Sequence, residues 1–135
     1  MTESLLQSLK SIPDRGQFVI LEHTVPVGGD RSDHWDVMLE SPNGLLTWAS
    51  PPFPAGILKW EVTPLPVHRA MYLDYEGPIS GNRGYVRRFD RGEFRTQDRQ
   101  LRAVMLECVG HVLQGQMLFE VHPNGRVWIS WNAVS

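Results

Sequence analysis

Cysteine and lysine are nearly missing from this sequence. Cys108 stands alone, so no internal disulfide can form, and a reducing, cytoplasmic setting is the expectation. It lies in the apolar run Val104-Met105-Leu106-Glu107-Cys108-Val109, where a small buried hydrophobe is expected. Lysine occurs only at Lys10 and Lys59, so any grip on phosphate falls to arginine. No apolar run approaches the ~18 residues that a membrane helix needs, and Met1-Thr2-Glu3-Ser4 does not begin a secretory leader. There is no glycine-rich phosphate loop followed by Lys, no cysteine pair for zinc, and no Ser in a G-x-S-x-G setting. The formal net charge of −2 excludes a global basic field, so nucleic-acid binding would need a local patch. No repeat, low-complexity tract or linker divides the 135 residues, and one domain with one core is expected.

What is present reads as mainly β. Leu5, Leu6, Leu9 and Ile12 recur at helical spacing and Pro13 stops them, predicting one short helix over residues 2–12. Strands are predicted at Gln17–Thr24, His34–Glu40, Leu45–Ala49, 58–63 and Val67–Tyr75. Two more, Gly84–Phe89 and Glu93–Arg95, are expected to flank a turn at Asp90-Arg91-Gly92. Later strands are predicted at 103–109, 112–121 and Val127–Trp131. Pro42-Asn43-Gly44 and Pro123-Asn124-Gly125 are hairpin signals, and a proline-rich loop covers 50–54. Many short strands with closely spaced turns predict a small, closed or partly open β-barrel with one short N-terminal helix. The expected division is a helical extension over 1–16 and a barrel over 17–135.

Three constellations carry chemistry. In His34-Trp35-Asp36, residues i and i+2 of a strand share a face, which sets an imidazole beside a carboxylate. Trp35, Val37 and Leu39 take the opposite face. If the strands pair as a hairpin, His23 reaches the same side as His34 and Asp36. Two ring nitrogens and one carboxylate suit Mn²⁺, Fe²⁺ or Zn²⁺, and the same set serves non-haem iron. The polar loop residues Asp30, Arg31 and Asp33 are expected to be solvated. The second constellation, His68, Tyr72 and Asp74, shares one face if that strand is regular; a histidine and a phenol can hold an oxyanion and move a proton, or simply be core groups. The third is arginine density: Arg83, Arg87, Arg88, Arg91, Arg95, Arg99 and Arg102 face only Asp90, Glu93 and Asp98, an excess of four positive charges. That stretch is either a phosphate-contact patch or a hairpin laced with ion pairs. The five tryptophans are mostly expected in the core.

In order, these pieces resemble the 3′-phosphoesterase domain family of DNA ligase D. Phe18-Val19-Ile20-Leu21-Glu22-His23 is similar to the family's opening strand, and His34-Trp35-Asp36-Val37-Met38-Leu39 to its His-Tyr-Asp-x-Arg-Leu element. Trp48-Ala49-Ser50-Pro51-Pro52-Phe53-Pro54 is similar to its Trp-Ala-x-Pro-Lys-Gly-Pro segment. His68-Arg69-Ala70-Met71-Tyr72-Leu73-Asp74-Tyr75-Glu76-Gly77 is similar to His-Pro-x-x-Tyr-x-Asp-Phe-Glu-Gly. Phe89-Asp90-Arg91-Gly92-Glu93-Phe94 is similar to Trp-Asp-Arg-Gly-x-Trp, and 110–119 to the closing Gly-x-x-Leu-x-Gly-x-x-x-Leu pattern. The likeness spans roughly 17–131.

The resemblance implies a small β-barrel with its site on a concave face. It implies a metal-dependent activity, typically with Mn²⁺, that removes a 3′-ribonucleoside or 3′-phosphate from nucleic-acid 3′ ends during DNA repair. It implies His23, His34 and Asp36 as metal ligands, and His68 and Tyr72 as catalytic groups. The pattern's Arg, Lys, Arg and Gln positions carry Met38, Pro52, Trp60 and Leu21 here, and the loop between His23 and His34 is five residues longer. Arg83, Arg87 and Arg88 are the candidates to replace that phosphate-holding shell. Expected partners are nucleic-acid 3′ ends and a separate ligase or polymerase, with the protein a monomer off the membrane. The alternatives are a non-catalytic module binding metal or nucleic acid on the same fold, and a metalloenzyme that takes a substrate without phosphate.

Overall fold

The computed structural model describes residues 2–28, 32–53 and 58–133. Helix α1 spans Thr2–Lys10 and is followed by nine strands: β1 Arg15–Thr24, β2 His34–Ser41, β3 Gly44–Ser50, β4 Lys59–His68, β5 Gly77–Pro78, β6 Tyr85–Gln100, β7 Ala103–Gly110, β8 Gln114–Val121 and β9 Val127–Ala133. All pairings are antiparallel. The order β1-β2-β3-β4-β9-β8-β7-β6 closes through β6 back onto β1, giving an eight-stranded barrel, with β5 a short addition beside β6. Closure leaves no long open edge.

The pattern of each strand explains the packing. In β1, Phe18 and Ile20 point into the barrel while Val19 and Leu21 point outward, and all four are buried. The interior core also holds Val37, Leu39, Trp48, Trp60, Leu106, Cys108, Phe119 and Ile129. Leu9 and Ile12 belong to that core, so the helical segment stoppers the barrel end where β1 begins. At the other end Trp35 packs on Phe53 and Phe89 with ring centroids 5.4 and 4.2 Å apart, and Phe53 packs on Trp60. The predicted Asn-Gly turns form: Ser41 pairs with Gly44, whose φ of 126° suits glycine, and Val121 pairs with Val127 across Gly125.

Two predicted elements are corrected. Val67–Tyr75 is not a strand: β4 runs on to His68, and Ala70–Leu73 forms a 3-10 turn with Tyr72 N–H donating to Arg69 O and Asp74 N–H to Met71 O. The turn drops Leu73 onto Val19, Leu21, Met38, Leu45 and Val86, forming a second, smaller core on the outer side of β1 and β2. Asp90-Arg91-Gly92 is not a turn either, since β6 runs unbroken through it. The buried Asp90 carboxylate accepts backbone N–H groups from Arg91, His111, Val112 and Leu113, and so secures the β7–β8 connection. A Cβ on Gly92 would run into the Val109 carbonyl, so glycine there permits the close approach of β7. The helix also stops at Lys10 rather than residue 12. Asp30, Arg31 and Pro54 lie outside the described residues. Among the described residues, no helix is long and apolar enough to cross a membrane.

Candidate metal centre

The last pair of the β1–β2 hairpin is His23 opposite His34. Alternation then sets His23, His34 and Asp36 together on the outer face, where one donor atom from each lies within 4.8 Å of the others. Asp36 is buried, and its two carboxylate oxygens face one histidine each: Oδ2 is 3.2 Å from His23 Nδ1 and Oδ1 is 3.1 Å from His34 Nε2. Each ring's other nitrogen meets a backbone carbonyl, His23 Nε2 at 3.0 Å from Arg83 O and His34 Nδ1 at 3.0 Å from Ser32 O.

A carbonyl can only accept, so both of those nitrogens carry hydrogen. In the neutral imidazoles the lone pairs therefore fall on His23 Nδ1 and His34 Nε2, the atoms that face the carboxylate. Two lone pairs and an anion cannot share that space without positive charge between them. A proton on each ring supplies it, or a divalent cation does. Distal nitrogens anchored on carbonyls and proximal nitrogens turned inward are the outer support that metal-binding histidines use. The residues present thus fit a divalent ion. Burial opposes the charged form of Asp36, but hydrogen bonds and charge from His23 and His34 outweigh it and hold the carboxyl below its ordinary value.

The triad stands between two depressions. A cavity of about 970 Å³ is bounded by His23, Asp36 and Met38 of the barrel, by His68, Arg69 and Tyr72, and by Arg83. His34 instead lines a shallower groove with Asp33, Pro52, Glu61 and Thr63. His68 and Tyr72 thus share a cavity with two of the three triad residues, although a turn rather than a strand positions them. Their rings meet edge-on at 6.0 Å. His68 Nδ1 donates to Pro66 O at 2.8 Å, leaving Nε2 for other partners.

The three arginine candidates part company. Arg83 lines the cavity, its guanidinium donating to Ser80 O and Oγ. Arg87 is paired with Glu22 at 2.7 Å, and Arg88 lies 3.8 Å from Glu76. For Arg87 and Arg88 a bulge sets the facing: register slips between Ile20 and Leu21, with Phe89 the extra residue of β6. Arg88 then faces outward beside Leu21, and Arg87 turns to the other side. Arg69, which the sequence reading passed over, lines the cavity, and neither it nor Arg83 is ion-paired among the described residues. The available signal was its place directly after His68.

Of the positions that depart from the family pattern, Met38 is buried beside the cavity and Pro52 lines the groove, whereas Trp60 and Leu21 are core. Trp60 Nε1 donates to Ser50 Oγ at 2.9 Å. Cys108 sits inside the barrel, where burial pushes its thiol up to about 12. No protein-family model matches the chain, and no curated protein matches it.

Proposed function

We propose that this protein is a divalent-metal-dependent phosphoesterase that acts on nucleic-acid 3′ ends, removing a 3′-phosphate or 3′-ribonucleoside. One observation carries the reading: two histidines, each with one ring nitrogen on a backbone carbonyl, turn the other ring nitrogen on a buried carboxylate beside a cavity lined by His68, Tyr72, Arg69 and Arg83. His23 Nδ1, His34 Nε2 and Asp36 would hold the ion, with Mn²⁺ the first choice and Zn²⁺ or Fe²⁺ compatible with the donor set. When bound, such an ion neutralises phosphate charge and lowers the pKa of coordinated water. The guanidinium groups of Arg69 and Arg83 supply charge-assisted hydrogen bonds to phosphoryl oxygens. His68 Nε2, whose partner nitrogen Nδ1 carries the hydrogen donated to Pro66 O, would present a lone pair that takes a proton from an attacking water. The Tyr72 hydroxyl serves as a hydrogen-bond donor at the same wall. A separate ligase or polymerase would use the resulting 3′-OH.

A second reading has its own support. Met38, Met71, Ile79 and Val86 give the cavity an apolar lining, which suits a non-catalytic binding module or a phosphate-poor substrate. A labelled primer–template ending in a 3′-phosphate or a single 3′-ribonucleotide separates the readings. The phosphoesterase reading expects Mn²⁺-dependent conversion to a 3′-OH that His34→Ala abolishes. A folded protein that takes up Mn²⁺ and leaves both ends intact would favour the module.

A further inference from the structure

Arg91 lies in the Asp90-Arg91-Gly92 motif, and the metal site makes no use of it. The register of β1 with β6 sets Arg91 opposite Val19, on the outer face that also carries His23. There its guanidinium spans three partners. Nη1 donates to Leu73 O at 2.9 Å and pairs with the Asp74 carboxylate, and Nη2 donates to Gln17 Oε1 at 2.6 Å. Leu73 and Asp74 close the turn that carries Tyr72 into the cavity. Among the described residues, that turn's backbone hydrogen bonds, Tyr72 N–H to Arg69 O and Asp74 N–H to Met71 O, are internal to it. Its ties to the barrel are the Leu73 side chain in the outer core, the rings of Tyr72 and Tyr75 packed against that core, and this guanidinium, the polar tie among them. Arg91 is itself held, because its backbone N–H donates to the buried Asp90 at 2.8 Å. Asp90 in turn accepts N–H groups from the β7–β8 connection, so the backbone that carries Arg91 is tied into the barrel wall.

We propose that Arg91 is a positioning residue, a clamp reaching from β6 that holds the Ala70–Leu73 turn so that Tyr72 stays on the wall of the cavity shared with His23 and Asp36. The consequence for turnover rests on the phosphoesterase reading; the clamp itself does not. Planar geometry is central, since one fork meets a carbonyl, a carboxylate and an amide oxygen at once, which a lysine ammonium cannot reproduce.

The test uses the full chain labelled with 3-fluorotyrosine, whose three tyrosine signals are assigned by single Tyr→Phe changes, with Mn²⁺ alone as a paramagnetic probe. In the parent protein Mn²⁺ should broaden the Tyr72 signal. In Arg91→Met that broadening should fall while Mn²⁺ affinity stays the same, because the ligands sit on β1 and β2. Amide exchange over 70–74 should quicken by about tenfold or more in the same variant. Arg91→Lys should recover only part of both effects. Asp74→Ala, which removes an exposed partner and leaves the core alone, should reproduce the exchange effect if Arg91→Met fails to fold. Where the parent turns over a 3′-phosphate, kcat in Arg91→Met should drop by roughly 10- to 100-fold with KM little moved, as a displaced group predicts. A parent with no turnover but a responsive Tyr72 signal and faster exchange would sink the phosphoesterase reading and keep the clamp. Unchanged exchange over 70–74 in both variants would overturn the clamp, whatever the activity.

Discussion

The inside of the barrel and the outer face of β1 and β2 are built from the same strands and do different work. The interior is closed at one end by α1 and at the other by Trp35, Phe53 and Phe89, and it encloses large apolar side chains. The outer face carries a small core of six buried residues under a 3-10 turn, and the polar triad lies at its margin. Along β1 the two functions alternate residue by residue, with Phe18 and Ile20 turned inward and Val19, Leu21 and His23 outward. A barrel already stable through its interior can place histidines and a buried carboxylate on its exterior. There the desolvation cost of the carboxylate is offset by its own two neighbours.

Ionisable groups give the sharpest contrast between the regions. The interior thiol of Cys108, raised from 9.0 to about 12, has about a thousandfold less thiolate than an ordinary cysteine. Labelling by a disulfide reagent at about pH 8 should therefore be slower by that factor or more in the folded protein, with full reactivity in denaturant. A fast native reaction would mean that the barrel opens.

Truncation compares the two cores directly. Phe119→Ala, which empties part of the interior, should cost about 3–5 kcal/mol, whereas Leu73→Ala on the outer face should cost only about 2 kcal/mol, because the turn can settle into the gap. Urea midpoints at matched slope measure both. Equal losses would mean that the outer core is as essential to folding as the inner one.

Asp36→Asn keeps the shape of the triad and removes its charge. Mn²⁺ affinity by calorimetry should fall by about 100-fold or more, and affinity in the parent should decline with falling pH, since protons compete for the histidine nitrogens. Phe119→Ala, where folded, should bind Mn²⁺ as the parent does.

The smallest effect is at acid pH. The Asp36 carboxyl titrates below its ordinary 3.8 in the folded protein. Its contribution to stability is therefore complete above that value and is lost as pH falls through the lower, folded one. Urea midpoints from roughly pH 5 to pH 2 should fall less steeply in Asp36→Asn than in the parent. At the alkaline end the raised Cys108 thiol acts in the opposite sense. Its contribution is complete below 9.0 and lost as pH rises towards 12.

The sequence by itself determined the barrel class, the Asn-Gly turns and the His23–His34–Asp36 cluster. Each follows from local rules: two-residue alternation, glycine at a positive φ, and hairpin pairing of neighbouring strands. The His68–Tyr72 pair was legible as residues and misread as structure, because alternation in 67–75 mimics a strand while Leu73 gains more by turning onto the outer core. Asp90-Arg91-Gly92 has turn composition, and only tertiary partners keep it extended: four backbone N–H groups for Asp90, and the carbonyl of Val109 pressed against Gly92. Which of Arg87 and Arg88 faces outward was likewise beyond sequence. The Phe89 bulge flips the facing of β6 partway along its length. One inserted residue in a two-residue repeat reverses every side chain beyond it, and the register that reveals it exists only once β1 and β6, some 60 residues apart in the chain, have closed the barrel.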